Sequence, residues 1–233
     1  MIKSLDILYQ DEYIVAISKP SGLLVHRTEL DPFEQQFAVQ ILRNQLDRYV
    51  YPIHRIDKPT SGVLLFSLNL EIAQLLSQSL QDKQIYKSYI AIVRGWMPDE
   101  ISIDRGIRQG RTNERKEALT HFQCLQTAEM PVPIGPYQSA RYSLVMASPV
   151  TGRRHQIRKH LNHVSHPIIG DTWYGDRDHN RYFSEKKNIS QMLLHSYQLQ
   201  FSHPETKKQI KIKAPLPAHW QEALSLIGFD YKD

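Results

Sequence analysis

Apolar residues recur along the chain in two rhythms, a period of two and a period near 3.6, broken by short polar turns. Residues 5–9 and 13–18 are rich in β-branched and aromatic side chains and flank Gln10-Asp11-Glu12, which predicts a hairpin. Lys19-Pro20-Ser21-Gly22 places proline and glycine for a type I turn, and Leu23 to His26 runs on extended. Asp31 as N-cap, Pro32 at the first helical position and Glu34 at capping-box spacing predict a helix start. Phe37, Ala38, Ile41 and Leu42 are its buried stripe. The continuous run Val63-Leu64-Leu65-Phe66 predicts a core strand. Asn69 then caps a helix reaching about Gln81, with Ile72, Leu75, Leu76 and Leu80 inward. Residues 85–93 form a strand whose alternation puts Lys87, Tyr89 and Ala91 on a more polar face, suited to the wall of a cleft.

Residues 98–118, with Arg105, Arg108, Arg111 and Arg115, carry little periodicity and read as a loop able to touch phosphate or simply solvated. A Pro-rich connection at 130–137 precedes a strand over 141–148, and Thr151 is placed to cap a basic helix over 153–163. Residues 166–171 make a turn with a short apolar segment, and 174–187 a polar loop. A second hairpin pairs 192–201 with 209–213, and a closing helix runs from Pro217 to Ile227, ended by Gly228. Many strands with interspersed helices, no βαβ regularity and no linker predict one α+β domain over residues 1–233. The expected architecture is a mixed, mostly antiparallel sheet with flanking helices and a central cleft.

Composition narrows the classes. At 233 residues with 41% hydrophobic and 23% charged side chains, the chain is an ordinary globular one. Its single cysteine, Cys124, allows no internal disulfide, no apolar run approaches the ~20 residues of a bilayer span, and residues 1–9 lack a signal-peptide core. A cytoplasmic protein with no membrane contact is expected. The net charge of +5 is concentrated at 151–166, which holds Arg153, Arg154, Arg158, Lys159 and four histidines but no acid. Such a segment suits a polyanionic partner, or is simply a solvated basic face.

The candidate chemistry sits at 54–62, H-R-I-D-K-P-T-S-G, where Asp57 lies between Arg55 and Lys58 at the mouth of the core strand. A carboxylate fixed beside cations is how a nucleophile is built, and equally how a structural ion pair is built. Composition alone favours the structural role. Arg154, Ile157, Arg158 and Leu161 share one helix face, so the two apolar residues draw both arginines inward. An inward arginine needs an anion, for which Asp57 or a phosphate is the candidate. His155, His160, His163 and His166 match no common zinc spacing, so no metal is expected.

These residues carry a resemblance. H-R-I-D-K-P-T-S-G-V-L-L-F at 54–66 resembles the signature of the RluA-type pseudouridine synthases, with Ile56 in place of the commoner Leu. I-Y-K-S-Y-I-A-I-V-R-G at 85–95, T-G-R-R-H-Q-I-R-K-H-L at 151–161, H-P-I-I-G-D at 166–171 and L-L-H-S at 193–196 follow in the family's order. The likeness spans about Leu5 to Trp220. H-P-I-I-G-D-T-W-Y-G-D at 166–176 with H-N-R-Y-F at 179–183 is most similar to the branch that modifies uridine 65 of tRNA.

The resemblance implies an isomerase that flips a uridine out of RNA, tRNA by the branch likeness, and needs no cofactor. Asp57 is then the essential carboxylate, acting as nucleophile or base. Tyr89 packs on the flipped uracil and helps remove the C5 proton, and Arg158 pairs with Asp57. Arg55 and Leu194 line the substrate site, and Arg153, Arg154 and Lys159 meet phosphate. Arg154 stands where the family often has Thr. No preceding S4 RNA-binding domain and no obligate protein partner are expected, so the chain reads as a monomer. The alternatives are a synthase acting on rRNA, a non-catalytic RNA-binding module or chaperone of the same fold, and a hydrolase using the histidines as metal ligands.

Overall fold

A computed structural model describes residues 2–27, 33–108 and 114–231. The backbone groups into two compact units, Met1–Lys87 with Ser196–Pro215, and Ser88–His195 with Leu216–Asp233.

The first unit contains β1 (Asp6–Gln10), β2 (Ile14–Lys19), α1 (Ala38–Leu46), β3 (Tyr51–Pro52), β4 (Ser61–Ser67), α2 (Leu70–Gln81), most of β11 (Leu194–Ser202) and β12 (Gln209–Lys213). Strand order is β1-β2-β4-β11, with β12 on β11 and β3 on β4. Both predicted hairpins form, β1 with β2 and β11 with β12, antiparallel. The 63–66 run is continuous because β4 is covered on both faces. Val63 and Leu65 join Ile14, Ala16, Ile72 and Leu76 in one cluster. Leu64 and Phe66 join Val15, Ile17, Ile41 and Leu42 in another. Each such side chain contributes roughly 1.5–3 kcal/mol of burial.

Two helices differ in detail from expectation, the second only in its buried stripe and the first in where it begins. Asn69 caps α2, its Oδ1 accepting from the Ile72 N–H at 2.9 Å. However, Ala73 takes the buried position expected for Leu75, which is 46% exposed. The first helix begins at Ala38, and Asp31 and Pro32 lie outside the described residues. Its leading N–H groups need no side-chain cap, because Ala38 and Val39 donate to the carbonyls of Leu24 and Val25. Glu34 lies before the helix and pairs with Lys58 at 2.9 Å instead of closing a capping box.

The second unit holds nearly all of β5 (Tyr86–Arg94), then β6 (Glu100–Asp104), β7 (Ile107–Arg108), β8 (Arg115–Lys116), β9 (Leu119–Met130) and β10 (Ala140–Pro149). Its helices are α3 (Gln156–His163), α4 (Arg177–Arg181), a π-helical turn at Tyr182–Lys186, and α5 (Ala218–Ile227) with Gly228 as its left-handed C-cap. Strand order is β5-β10-β9-β6, all antiparallel. Among the described residues of 98–118, three short strands, β6, β7 and β8, stand where a loop was expected. Ile103 is buried while Glu100, Ser102 and Asp104 alternate outward, and the charges obscure that rhythm. Arg111 lies outside the described residues. The expected polar face of β5 is covered too, with Tyr89 to Val93 all buried. The expected polar loop at 174–187 is helical, because Asp176 caps α4 and Phe183 is fully buried. The chain is α+β, with mostly antiparallel strands and flanking helices.

Candidate active site

The sequence candidates fall in both units, and each group is built locally. In the first unit, Asp57 opens a tight turn, its carbonyl accepting from the Thr60 N–H at 3.0 Å. The turn is tied to the segment after β2. The Lys58 carbonyl accepts from the Gly22 N–H at 2.9 Å, and the Pro59 carbonyl from the Ser21 hydroxyl at 2.7 Å. Thr60 and Ser61 are buried, Asp57 is half-buried and Arg55 is exposed. Lys58 is engaged with Glu34, so the two cations flanking Asp57 differ in surroundings as well as in motif.

Two residues passed over in the sequence hold this loop. Lys19, fully buried, donates from Nζ to the carbonyls of Pro20 and Leu23, each at 2.8 Å, and of Lys58 at 3.1 Å. Burial pulls its ammonium down to about 7, while the Asp57 carboxylate pulls it back up. The ammonium thus both braces the turn and faces Asp57 with positive charge. His54 uses Nε2 to accept the Leu65 N–H at 3.2 Å, replacing a ladder bond where β3 has ended. Burial first, then the Lys87 ammonium, push His54 down to about 3, so its ring is neutral at physiological pH. Directly after the loop, Gly62 (φ +108°) lets β4 pass β11 so closely that a Cβ would stand 2.2 Å from the Ser196 carbonyl oxygen.

In the second unit, Tyr89 lies on β5 opposite Ala147 of β10, and Leu194 begins β11, both buried. Arg158 on α3 is 4% exposed and is paired with Asp171, an acid that was not among the expected anions. Its Nε and Nη2 donate to Asp171 Oδ2 and Oδ1, each at 2.7 Å. Asp171 Oδ1 also accepts from the N–H groups of Trp173 at 2.9 Å and Tyr174 at 3.1 Å. Burial raises the Asp171 pKa, but Arg158 and these two donors outweigh it and hold the carboxyl below its usual value. The signal was available, since Asp171 is the acid that ends H-P-I-I-G-D shortly after the basic helix.

The basic segment is arranged differently from the expected single helix. α3 starts at Gln156, with His155 left-handed at its N-cap (φ 56°). Thr151 does not cap it. Its hydroxyl instead donates to Gln156 Oε1 at 2.7 Å, and Gln156 Nε2 donates to the Leu119 carbonyl at 2.9 Å. Ile157, Arg158 and Leu161 are buried as expected, whereas Arg154 precedes the helix and is exposed. Arg153 donates from Nε to the Glu117 carbonyl at 2.9 Å, and Lys159 reaches the Arg108 carbonyl at 3.5 Å. His160 bridges Thr120 Oγ1 and the Arg105 carbonyl, each at 3.0 Å, and His166 meets the Arg94 carbonyl at 2.9 Å. These two histidines are thereby committed to holding strands and helix together.

Comparison with known proteins places this architecture. Residues 13–163 match the family model described as RNA pseudouridylate synthase. The chain is 47% identical to tRNA pseudouridine synthase C of Haemophilus influenzae, over 97% of this chain and 99% of that one. It is 40% identical to tRNA pseudouridine synthase C of Vibrio cholerae, over 97% and 96%. Among solved structures, human RNA pseudouridylate synthase domain containing 4 superposes with a TM-score of 0.73 at 22% identity, covering 98% of this chain and 95% of that one. The fold, the ordered motifs and these full-length matches agree, and the chain belongs to the RNA pseudouridylate synthase family.

Proposed function

We propose that this chain is a tRNA pseudouridine synthase that isomerises uridine 65 in the acceptor stem, with Asp57 as the essential carboxylate. The observation that carries the reading is the full-length similarity, at 40–47% identity, to bacterial chains named tRNA pseudouridine synthase C. The reaction breaks the N1–C1′ bond, turns the base and joins C5 to C1′. The target must leave the helix stack to be reached. A half-buried carboxylate on a turn braced by Lys19, Gly22 and Ser21 has the fixed position such chemistry requires.

Tyr89 and Arg158 take the roles the family likeness gives them, stacking with proton transfer and charge support for Asp57. Arg158 is itself held by Asp171, so its position is set before RNA arrives. Arg55 lies near the space that the flipped base leaves, Leu194 adds an apolar wall, and Arg153, Arg154 and Lys159 contribute salt-dependent phosphate binding. The reading places a monomeric enzyme in the cytoplasm. No helix among the described residues is long and apolar enough to cross a membrane.

The test is incubation of the purified chain with a tRNA transcript and with the same transcript carrying cytidine at position 65. Pseudouridine in the first and none in the second is expected. Equal pseudouridine in both, at another position, would overturn the assignment of the site while leaving the isomerase activity intact.

A further inference from the structure

The side chain of Trp173 lies outside every role assigned above, although its backbone is held by the Arg158–Asp171 pair. Its indole is 68% exposed. The residue is anchored through its backbone, whose N–H donates to Asp171 Oδ1 at 2.9 Å, an oxygen of the same carboxylate that clamps Arg158. The ring meets the His155 imidazole edge-on, with centroids 5.4 Å apart at 84°, and the Arg154 guanidinium lies 5.9 Å from its centre. His155 is in turn fixed by Nδ1 against the Tyr174 hydroxyl at 3.0 Å.

The charge placed against this ring is positive, the Arg154 guanidinium. Residues 151–166 contain no acid, Asp171 is consumed by Arg158, and Asp176 and Asp178 pair with Arg94 and Arg181. A single aromatic plane with a guanidinium beside it is too small to dock a folded protein, whose interfaces bury ~800 Å² per partner. It suits a planar base attached to phosphate.

We infer that Trp173 and Arg154 form a binding site for one unstacked nucleotide of the RNA substrate, the base lying on the indole and its phosphate on the guanidinium. This rests on the RNA-modifying reading above. It also gives the exposed Arg154 a partner: the arginine that does not turn inward serves the outer face instead.

The experiment is tRNA binding by the full-length chain at several salt concentrations, with pseudouridine formation followed separately. Trp173→Ala should raise Kd roughly 5- to 150-fold, the span expected for one stacked base, without changing the salt slope. Trp173→Phe should restore most of the affinity and Trp173→Leu should not. Arg154→Ala should lower the salt slope by about one phosphate contact. Trp173→Ala with affinity within about twofold of wild type, a negligible energy, overturns the proposal, as does full rescue by Trp173→Leu. Failure of the functional reading looks different: wild-type chain that binds tRNA but forms no pseudouridine. A wild-type chain that binds no RNA overturns both.

Discussion

Replacing Asp171 by Asn keeps the shape of the side chain and removes its charge. In the native structure Asp171 is 1% exposed and Arg158 4%, joined by two 2.7 Å bonds. An asparagine can still accept from Trp173 and Tyr174 through its oxygen, but its amide then points donors at the Arg158 Nε–H. The buried guanidinium loses the charge of Asp171 and the acceptor of its Nε–H, which costs about 3–5 kcal/mol. Against a total stability of about 5–15 kcal/mol, that is a large fraction. Urea unfolding followed by circular dichroism should show a lowered midpoint at unchanged slope. Arg158→Met should cost less, because two backbone N–H groups still hydrogen-bond the carboxylate, and the double variant less than the sum of the singles. The penalty should also depend on pH with a definite sign. The folded Asp171 carboxyl is held below 3.8, so its stabilisation is present above that pH and fades as acid protonates it. An Asp171→Asn variant within about 1 kcal/mol of wild type at neutral pH, the level of an exposed ion pair, would refute the reasoning, as would strict additivity.

Two further outcomes follow from the first unit. Gly62→Ala should destabilise by well over about 2 kcal/mol, since it adds a left-handed penalty of about 1–2 kcal/mol to a 2.2 Å clash with the Ser196 carbonyl. Gly22→Ala (φ +86°, nothing within 4 Å of the new Cβ) should cost only the backbone penalty, and equal thermal shifts for the two would contradict this. His54 is held near 3 in the fold and returns to about 6.5 when unfolded. Between those values acid favours the unfolded chain, by about 1.4 kcal/mol per pH unit from this residue. His54→Gln keeps an acceptor for the Leu65 N–H without a titrating ring, so it should flatten the loss of stability between pH 6.5 and 3. An acid slope equal to wild type would count against His54 as its source.

What the sequence disclosed depends on how local the cause is. Asn69 and Gly228 mark helix ends because their bonds close within a few residues, and both are found there. Val63 to Phe66 announces a strand because both faces meet core. β9 gives no such signal: Thr120 and Phe122 turn in, while His121 and Gln123 turn out in a stretch that is polar on both sides. The first helix starts where distant backbone at Leu24 and Val25 satisfies it, which no cap residue encodes.

The candidate site divides in the same way. Asp57, Arg55, Tyr89 and Arg158 stand in contiguous motifs and could be named from them. Lys19 reaches the Asp57 turn across 39 positions and His54 reaches Leu65 across 11, so their support emerges only with the fold. Arg154 was expected to turn inward on a helix face, but the helix begins two residues later, and that residue lies exposed near Trp173 instead.

In the proposed function, a single carboxylate at position 57 performs isomerisation of a tRNA uridine. Its most direct test is pseudouridine formation in a tRNA transcript by wild-type chain and by Asp57→Asn, at equal protein bound to RNA. Pseudouridine at position 65 is expected with wild type, and none with Asp57→Asn despite retained folding and tRNA affinity. Substantial pseudouridine formed by the Asp57→Asn chain would contradict it.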